Sequence, residues 1–145
     1  MIEVKFIKSS DTHALRHRIL KPTRPFEECS FAEDDLESTF HVGVFENGEL
    51  LTIATFIQDD FKELYAGSAY RLRGMATDSS AQGKGFGKQA LLFGIQKLSE
   101  MKVEFLWCNA RVNAFPFYES LDFKYHGPIF EIVNTGPHKV MYKFL

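Results

Sequence analysis

The chain has 145 residues, 45% of them hydrophobic and 25% charged, the composition of a water-soluble globular protein with one sizeable core. Its formal net charge of −2 argues against a general nucleic-acid or membrane-surface binder, and no run approaches the ~20 apolar residues of a membrane span. Cys29 and Cys108 are too few and too far apart for a disulfide framework and the start does not read as a signal peptide, so a cytoplasmic protein with reduced thiols is expected.

Glu3 to Ile7 alternates charged and apolar residues and predicts a first strand. Ser9, Ser10 and Asp11 can cap a helix from about Thr12 to Leu20, with Leu15 and Ile19 on one face, before Pro22 and Pro25 break it. The acidic stretch Phe26 to Leu36 lacks a clear period and predicts a loop with at most a helical turn. Phe40 to Phe45 and Leu50 to Ile57 are strand-like runs around Asn47-Gly48, the strongest short hairpin signal. Tyr70 to Thr77 predicts the next strand, and Gly85 to about Met101 a helix with Leu91, Ile95 and Leu98 on one face. Val103 to Cys108 reads as a strand buried on both faces. Val112 to Leu121 predicts a short helix with Pro116 in its first turn. Phe123 to Tyr125, Pro128 to Val133 and Lys139 to Leu145 close the chain as strands. No repeat or linker interrupts residues 1–145, which read as one domain. The order points to an α/β fold with a mixed, mainly antiparallel sheet of six to seven strands and helices on both faces.

One stretch stands out: Gln82-Gly83-Lys84-Gly85-Phe86-Gly87, with Lys88 after it, at the mouth of the predicted amphipathic helix. Glycine allows a ligand close approach, and a helix start offers unpaired N–H groups and the positive end of the dipole, which together suit a phosphate. A Walker A loop, G-x-x-x-x-G-K-S/T, fails because Gln82 stands five before Gly87 and Gln89 follows Lys88. The dinucleotide fingerprint G-x-G-x-x-G/A fails because Lys88 occupies its last position, and the loop lies past the middle of the chain.

What remains is Gln82-x-x-Gly85-x-Gly87, which resembles the pyrophosphate loop Q/R-x-x-G-x-G/A of the GNAT superfamily of N-acetyltransferases. Leu72-Arg-Gly-Met-Ala-Thr77 resembles the strand before that loop. Asn109 to Phe123 is similar to the superfamily's later motif, A-x-x-F-Y-x-x-x-G-F, through Ala114, Phe117 and Tyr118. One helix and one strand separate the two motifs, as that fold requires. Two positions depart from the pattern. Arg111 stands seven before Tyr118 where Asn is usual, with Asn109 and Asn113 beside it, and Asp122 replaces the Gly before the closing Phe. Asp adopts the left-handed conformation better than most residues, so the turn should survive.

The resemblance implies a GNAT-like domain over residues 1–145 that moves an acetyl group from acetyl-CoA directly to a primary amine of a small molecule or peptide. Backbone N–H groups of Gly83, Lys84, Gly85, Phe86, Gly87 and Lys88 would hold the pyrophosphate, with Gln82 a further cofactor-binding residue of the loop. A distortion in the strand ending Met75-Ala76-Thr77 would turn backbone groups toward the thioester, and Asn109, Arg111, Ala114 and Phe117 would line the cofactor arm. Tyr118 matches the tyrosine that protonates the departing thiolate. A protonated amine must first lose a proton; His138 and His41 are the candidate bases, with Asp34, Asp35 and Glu131 as further options. Glu27 to Glu37 could attract a cationic acceptor or be a solvated face. His13 and His17 are four apart, but no third ligand lies nearby, so no metal is expected. Neither nucleic acid nor membrane is expected as a partner, and a homodimer stays open. The other readings are an acyl-CoA-binding module without catalysis and a transferase acting on protein N-termini or lysines.

Overall fold

The computed structural model describes residues 1–145. Seven strands form one sheet: β1 (Ile2–Ile7), β2 (Phe40–Glu46), β3 (Glu49–Gln58), β4 (Tyr70–Thr77), β5 (Phe105–Arg111), β6 (Lys124–Ile132) and β7 (Gly136–Phe144). Their order across the sheet is β1-β2-β3-β4-β5-β7-β6, and every neighbouring pair is antiparallel except β4 and β5. Asn47 (φ 51°) and Gly48 (φ 85°) make the two-residue turn between β2 and β3, as their left-handed preference dictates.

The helices are α1 (Ser9–Leu15), α2 (Phe86–Glu100) and α3 (Phe115–Glu119). Alternation along β3 assigns the two long faces. Phe56 and Ala54 join the main core with Leu91 and Leu98 of α2, whereas Ile53 packs with Leu15 of α1. The fit against α2 is close. A Cβ on Gly94 would lie 2.0 Å from the Phe56 ring, itself stacked on Phe40. The predicted architecture, a mixed and mainly antiparallel sheet covered on both faces, is the one observed.

Several boundaries moved, each where a tertiary contact outweighs local pattern. The first helix begins at Ser9 and ends in a wider π-helical turn, Arg16–Leu20, in which Arg16 turns inward and is 1% exposed. Ser9 and Asp11 are first-turn residues rather than caps; the Asp11 carboxylate accepts from the Lys8 N–H at 3.1 Å. β5 is displaced toward Arg111 because its whole length pairs with β7. The two strands expected near residues 123–133 are one, β6, whose register breaks between His126 and Phe130 around Gly127 (φ 78°). α3 is shorter than predicted, with Pro116 in its first turn, and Asp122 (φ 67°) makes the left-handed turn after it.

Candidate active site

The one parallel pair opens the site. β4 and β5 are joined only at Tyr70–Leu106 and Arg71–Trp107, so beyond Arg71 the facing edges of Leu72–Thr77 and Cys108–Arg111 have no partner in each other. β5 instead follows β7 through Arg111–His138, and β4 follows β3. A cavity of 530 Å³ lies at this gap. It is bounded by β4 at Leu72 and Met75, by β5 at Asn109 and Arg111, by Tyr118 of α3, by His138 of β7, and by the segment from Leu20 to Phe31.

At the gap β4 carries a bulge. The β3–β4 register slips between Ile53–Ala76 and Thr55–Arg73, leaving Gly74 and Met75 opposite a single residue. Gly74 has φ 64°, and a Cβ there would lie 2.9 Å from the Phe31 ring, so both conformation and space call for glycine. The family resemblance implies a distortion in the strand ending Met75-Ala76-Thr77 without singling out Gly74, for which a lone Gly inside a strand pattern is the available signal. Ala76 points into the α1-side core, and the Thr77 hydroxyl accepts from Thr52 at 2.9 Å, so these two residues present backbone rather than side chain to a ligand.

Beside the gap α2 begins. Gly83 (φ 85°) and Gly85 (φ 80°) are left-handed, and Gly85 is the residue that caps α2. No heavy atom lies within 4 Å of a Cβ built on either, so the loop faces open space. The N–H groups of Gln82, Gly83, Gly85, Phe86, Gly87 and Lys88 find no acceptor in the protein, while Lys84 N–H reaches Ala81 O at 3.4 Å. That row of free donors at a helix start fits a pyrophosphate. The Lys84 ammonium is already paired with Glu46 at 3.1 Å, whereas Lys88 has no such partner. The Phe86 side chain is core. Phe117 sits 3.7 Å from the Cβ position of Gly87 and meets Tyr118 edge to face, fixing α3 beside the start of α2.

Tyr118 is 7% exposed, and Cys108 is buried beside it in the same core cluster and cavity wall. Burial, reinforced by Cys108, holds the phenol well above its usual range, and burial pushes the Cys108 thiol up to about 12. Both protons stay on at neutral pH. Cys108 is therefore a weak nucleophile, and Tyr118 is a hydroxyl with a proton to give.

The two candidate histidines separate. His138 lines the cavity, and its Nδ1 lies 2.7 Å from Gly136 O. A carbonyl only accepts, so Nδ1 is the donor of that bond; in the neutral ring the lone pair then lies on Nε2, which has no partner in the protein. His41 lies outside the cavity, buried on the α1 side, with both nitrogens engaged. Its Nε2–H donates to Asp34 O at 3.0 Å, and the Thr55 hydroxyl donates to Nδ1 at 2.8 Å. His41 has no nitrogen left for a substrate, which corrects its expected role as a base.

The Asp34 carboxylate is likewise engaged within the protein. Arg16 donates to its carboxylate at 2.7 and 2.9 Å, and to Cys29 O and Thr55 besides. Burial by itself would raise the Asp34 carboxyl, but Arg16 and the Phe31 N–H outweigh it and hold it below its ordinary value. Asp35 accepts from Ser9 at 2.6 Å, and Glu131 is exposed on β6 outside the cavity. The acidic stretch is thus partly matched within the protein: Glu28 to Arg24 and Asp34 to Arg16 by hydrogen-bonded pairs, and Glu33 to Arg73 by a looser contact at 3.5 Å. It is neither a free lure for cations nor wholly a solvated face. His17 stacks on Phe26 and bonds to Arg24 O, and His13 lies 3.7 Å from Asp34, so these two are packed rather than solvated.

The sheet is thus split at its one parallel pair, with a row of free N–H donors at a helix start beside the split. The family model described as the Acetyltransferase (GNAT) family matches residues 9–123, and the chain belongs to that family. It is similar to YitI of Bacillus subtilis (strain 168), an uncharacterized N-acetyltransferase, at 43% identity over all of this chain and 97% of that protein. Among solved structures, Escherichia coli ElaA superposes with a TM-score of 0.78 at 18% identity, covering 99% of each chain. An aminoglycoside 6′-N-acetyltransferase complexed with coenzyme A superposes at 0.72 with 14% identity, covering 98% of this chain and 96% of that one. No helix is long and apolar enough to cross a membrane.

Proposed function

We propose that this N-acetyltransferase moves an acetyl group from acetyl-CoA directly to a primary amine of a small molecule or peptide. One observation carries the reading. Tyr118, which keeps its proton, and His138, which keeps a free Nε2, line the same cavity where β4 and β5 part. Acetyl-CoA supplies the activated acyl group. The free N–H groups from Gln82 to Lys88 bind its pyrophosphate, and the unpaired edges of β4 and β5 take its extended arm between them. Asn109, Arg111 and Ala114 border that arm. His138 Nε2 accepts the proton of the incoming ammonium, and the Tyr118 hydroxyl donates to the departing sulfur. The bulge at Gly74–Met75 aims backbone at the carbonyl, where developing negative charge needs donors.

The test is release of free thiol from acetyl-CoA with a panel of amines. Tyr118→Phe is expected to lower kcat by about 100-fold or more while CoA still binds, in line with loss of a positioned acid. Coenzyme A bound without turnover of any amine would instead make the protein a binding module, and turnover unaffected by Tyr118→Phe would remove it as the acid.

A further inference from the structure

We infer that the acceptor is an amine that also carries an oxyanion, a carboxylate or a phosphate, and that Arg73 and Arg71 recognise that group. The inference rests on the transferase reading above and narrows its second substrate.

The alternation of β4 separates two sides of the cavity. Tyr70 and Leu72 point into the α2-side core. Arg71 and Arg73 point the other way, toward the segment from Leu20 to Phe31. They face away from the start of α2, where the donor's pyrophosphate belongs. The Arg73 guanidinium lies over the Phe31 ring at 3.8 Å, and that of Arg71 sits over Trp107 at 5.4 Å. Rings hold both forks in place.

Neither side chain makes a hydrogen bond within the protein. Arg73 Nη1 comes only to 3.5 Å of Glu33, and Arg71 Nε lies 3.2 Å from Asp59 without hydrogen-bond alignment and has no acceptor. Their surroundings make the deficit larger. Burial first, and then the neighbouring Arg71, press the Arg73 guanidinium below its usual range. Lys21, Arg24 and Arg111 line the same cavity; of the carboxylates nearby, Glu28 is already bidentate to Arg24 at 3.0 Å on both arms, and Glu33 and Asp59 meet Arg73 and Arg71 only as ion pairs without hydrogen bonds. A chain of net charge −2 therefore collects cations at the place where its acceptor enters. Two half-buried guanidiniums, spaced two residues along a strand and short of acceptors, match a planar or tetrahedral oxyanion. A polycation would meet like charge there.

Two measurements test this. Thiol release is followed with matched acceptors: β-alanine, phosphoethanolamine, n-propylamine and 1,3-diaminopropane. Independently, fluorescence of Trp107, the only tryptophan, is titrated with the same compounds on the CoA-loaded protein. The anionic amines are expected to exceed n-propylamine by about 10- to 100-fold in kcat/KM and in affinity, the range of hydrogen bonds to charged groups. The better of the carboxylate and phosphate arms names the oxyanion. Arg73→Gln should abolish the preference, and Arg73→Lys, which keeps the charge without the fork, should restore part of it. Equal or better binding of n-propylamine or the diamine would overturn the inference, as would loss of CoA affinity in Arg73→Gln. Anionic amines that bind selectively but release no thiol would sustain oxyanion recognition by Arg73 and Arg71 while refuting the transferase reading and, with it, the role of these amines as acceptors.

Discussion

Replacing Gly74 by Ala isolates how the cleft wall is built. The residue has φ 64°, where a side chain costs about 1–2 kcal/mol. Its new Cβ would stand 2.9 Å from one Phe31 ring carbon, 3.2 Å from another and 3.3 Å from Arg16 Nε. Phe31 is pinned between the guanidiniums of Arg16 and Arg73, each 3.8 Å from its ring, so it cannot yield without losing a contact. Overpacking of this kind adds about 1–2 kcal/mol. The sum is roughly 2–4 kcal/mol, or a fall in Tm of about 4–16 °C for a chain of this size. Urea unfolding of Gly74→Ala, Phe31→Ala and the double variant separates the two parts. In the Phe31→Ala background the contact part should vanish and about 1–2 kcal/mol of backbone cost should remain. Gly74→Ala with unchanged stability, or an equal cost in both backgrounds, would refute the reasoning.

Gly94→Ala should also destabilise, by about 1–2 kcal/mol in urea unfolding, because a Cβ 2.0 Å from the buried Phe56 ring outweighs the ~1 kcal/mol gain in helix propensity; a stabilised variant would mean that α2 shifts freely. Gly85→Ala meets no atom within 4 Å, so its ~1–2 kcal/mol should come from φ 80° alone, and calorimetry should find CoA binding weakened as the donor row is re-aimed. The Asp34 carboxyl is held low in the folded state, so its contribution is complete above the unfolded value near ~4 and disappears as pH falls through the folded value. Asp34→Asn should flatten the acid side of the stability–pH curve and, by leaving Arg16 buried without its partner, lower stability at pH 7 by about 3–5 kcal/mol. A variant with the original acid limb would place that linkage elsewhere.

What the chain alone determined is what a few neighbouring residues decide. Asn47-Gly48 had to turn, Asp122 had to take the left-handed position, and Gly83 and Gly85 before an amphipathic run had to present free N–H groups, because each depends on local φ and on capping. The order of elements then pointed to the layered sheet, and the resemblance of Ala114, Phe117 and Tyr118 to the family's later motif made Tyr118 the candidate acid. The tertiary structure decided the rest, through contacts between residues far apart in sequence. Whether His41 or His138 keeps a free nitrogen depends on Thr55 and Asp34 in one case and on Gly136 in the other. Whether the acidic stretch is available depends on Arg16, Arg24 and Arg73 reaching it. The cleft exists because β4 follows β3 and β5 follows β7, so the one parallel pair comes apart, and that competition for partners is written in no single segment. The proposed donor half of the site is a property of a loop, whose free N–H groups follow from local φ. The proposed acceptor half is a property of two strands, a bulge and a packed segment, and only their assembly puts Arg71 and Arg73 in one place.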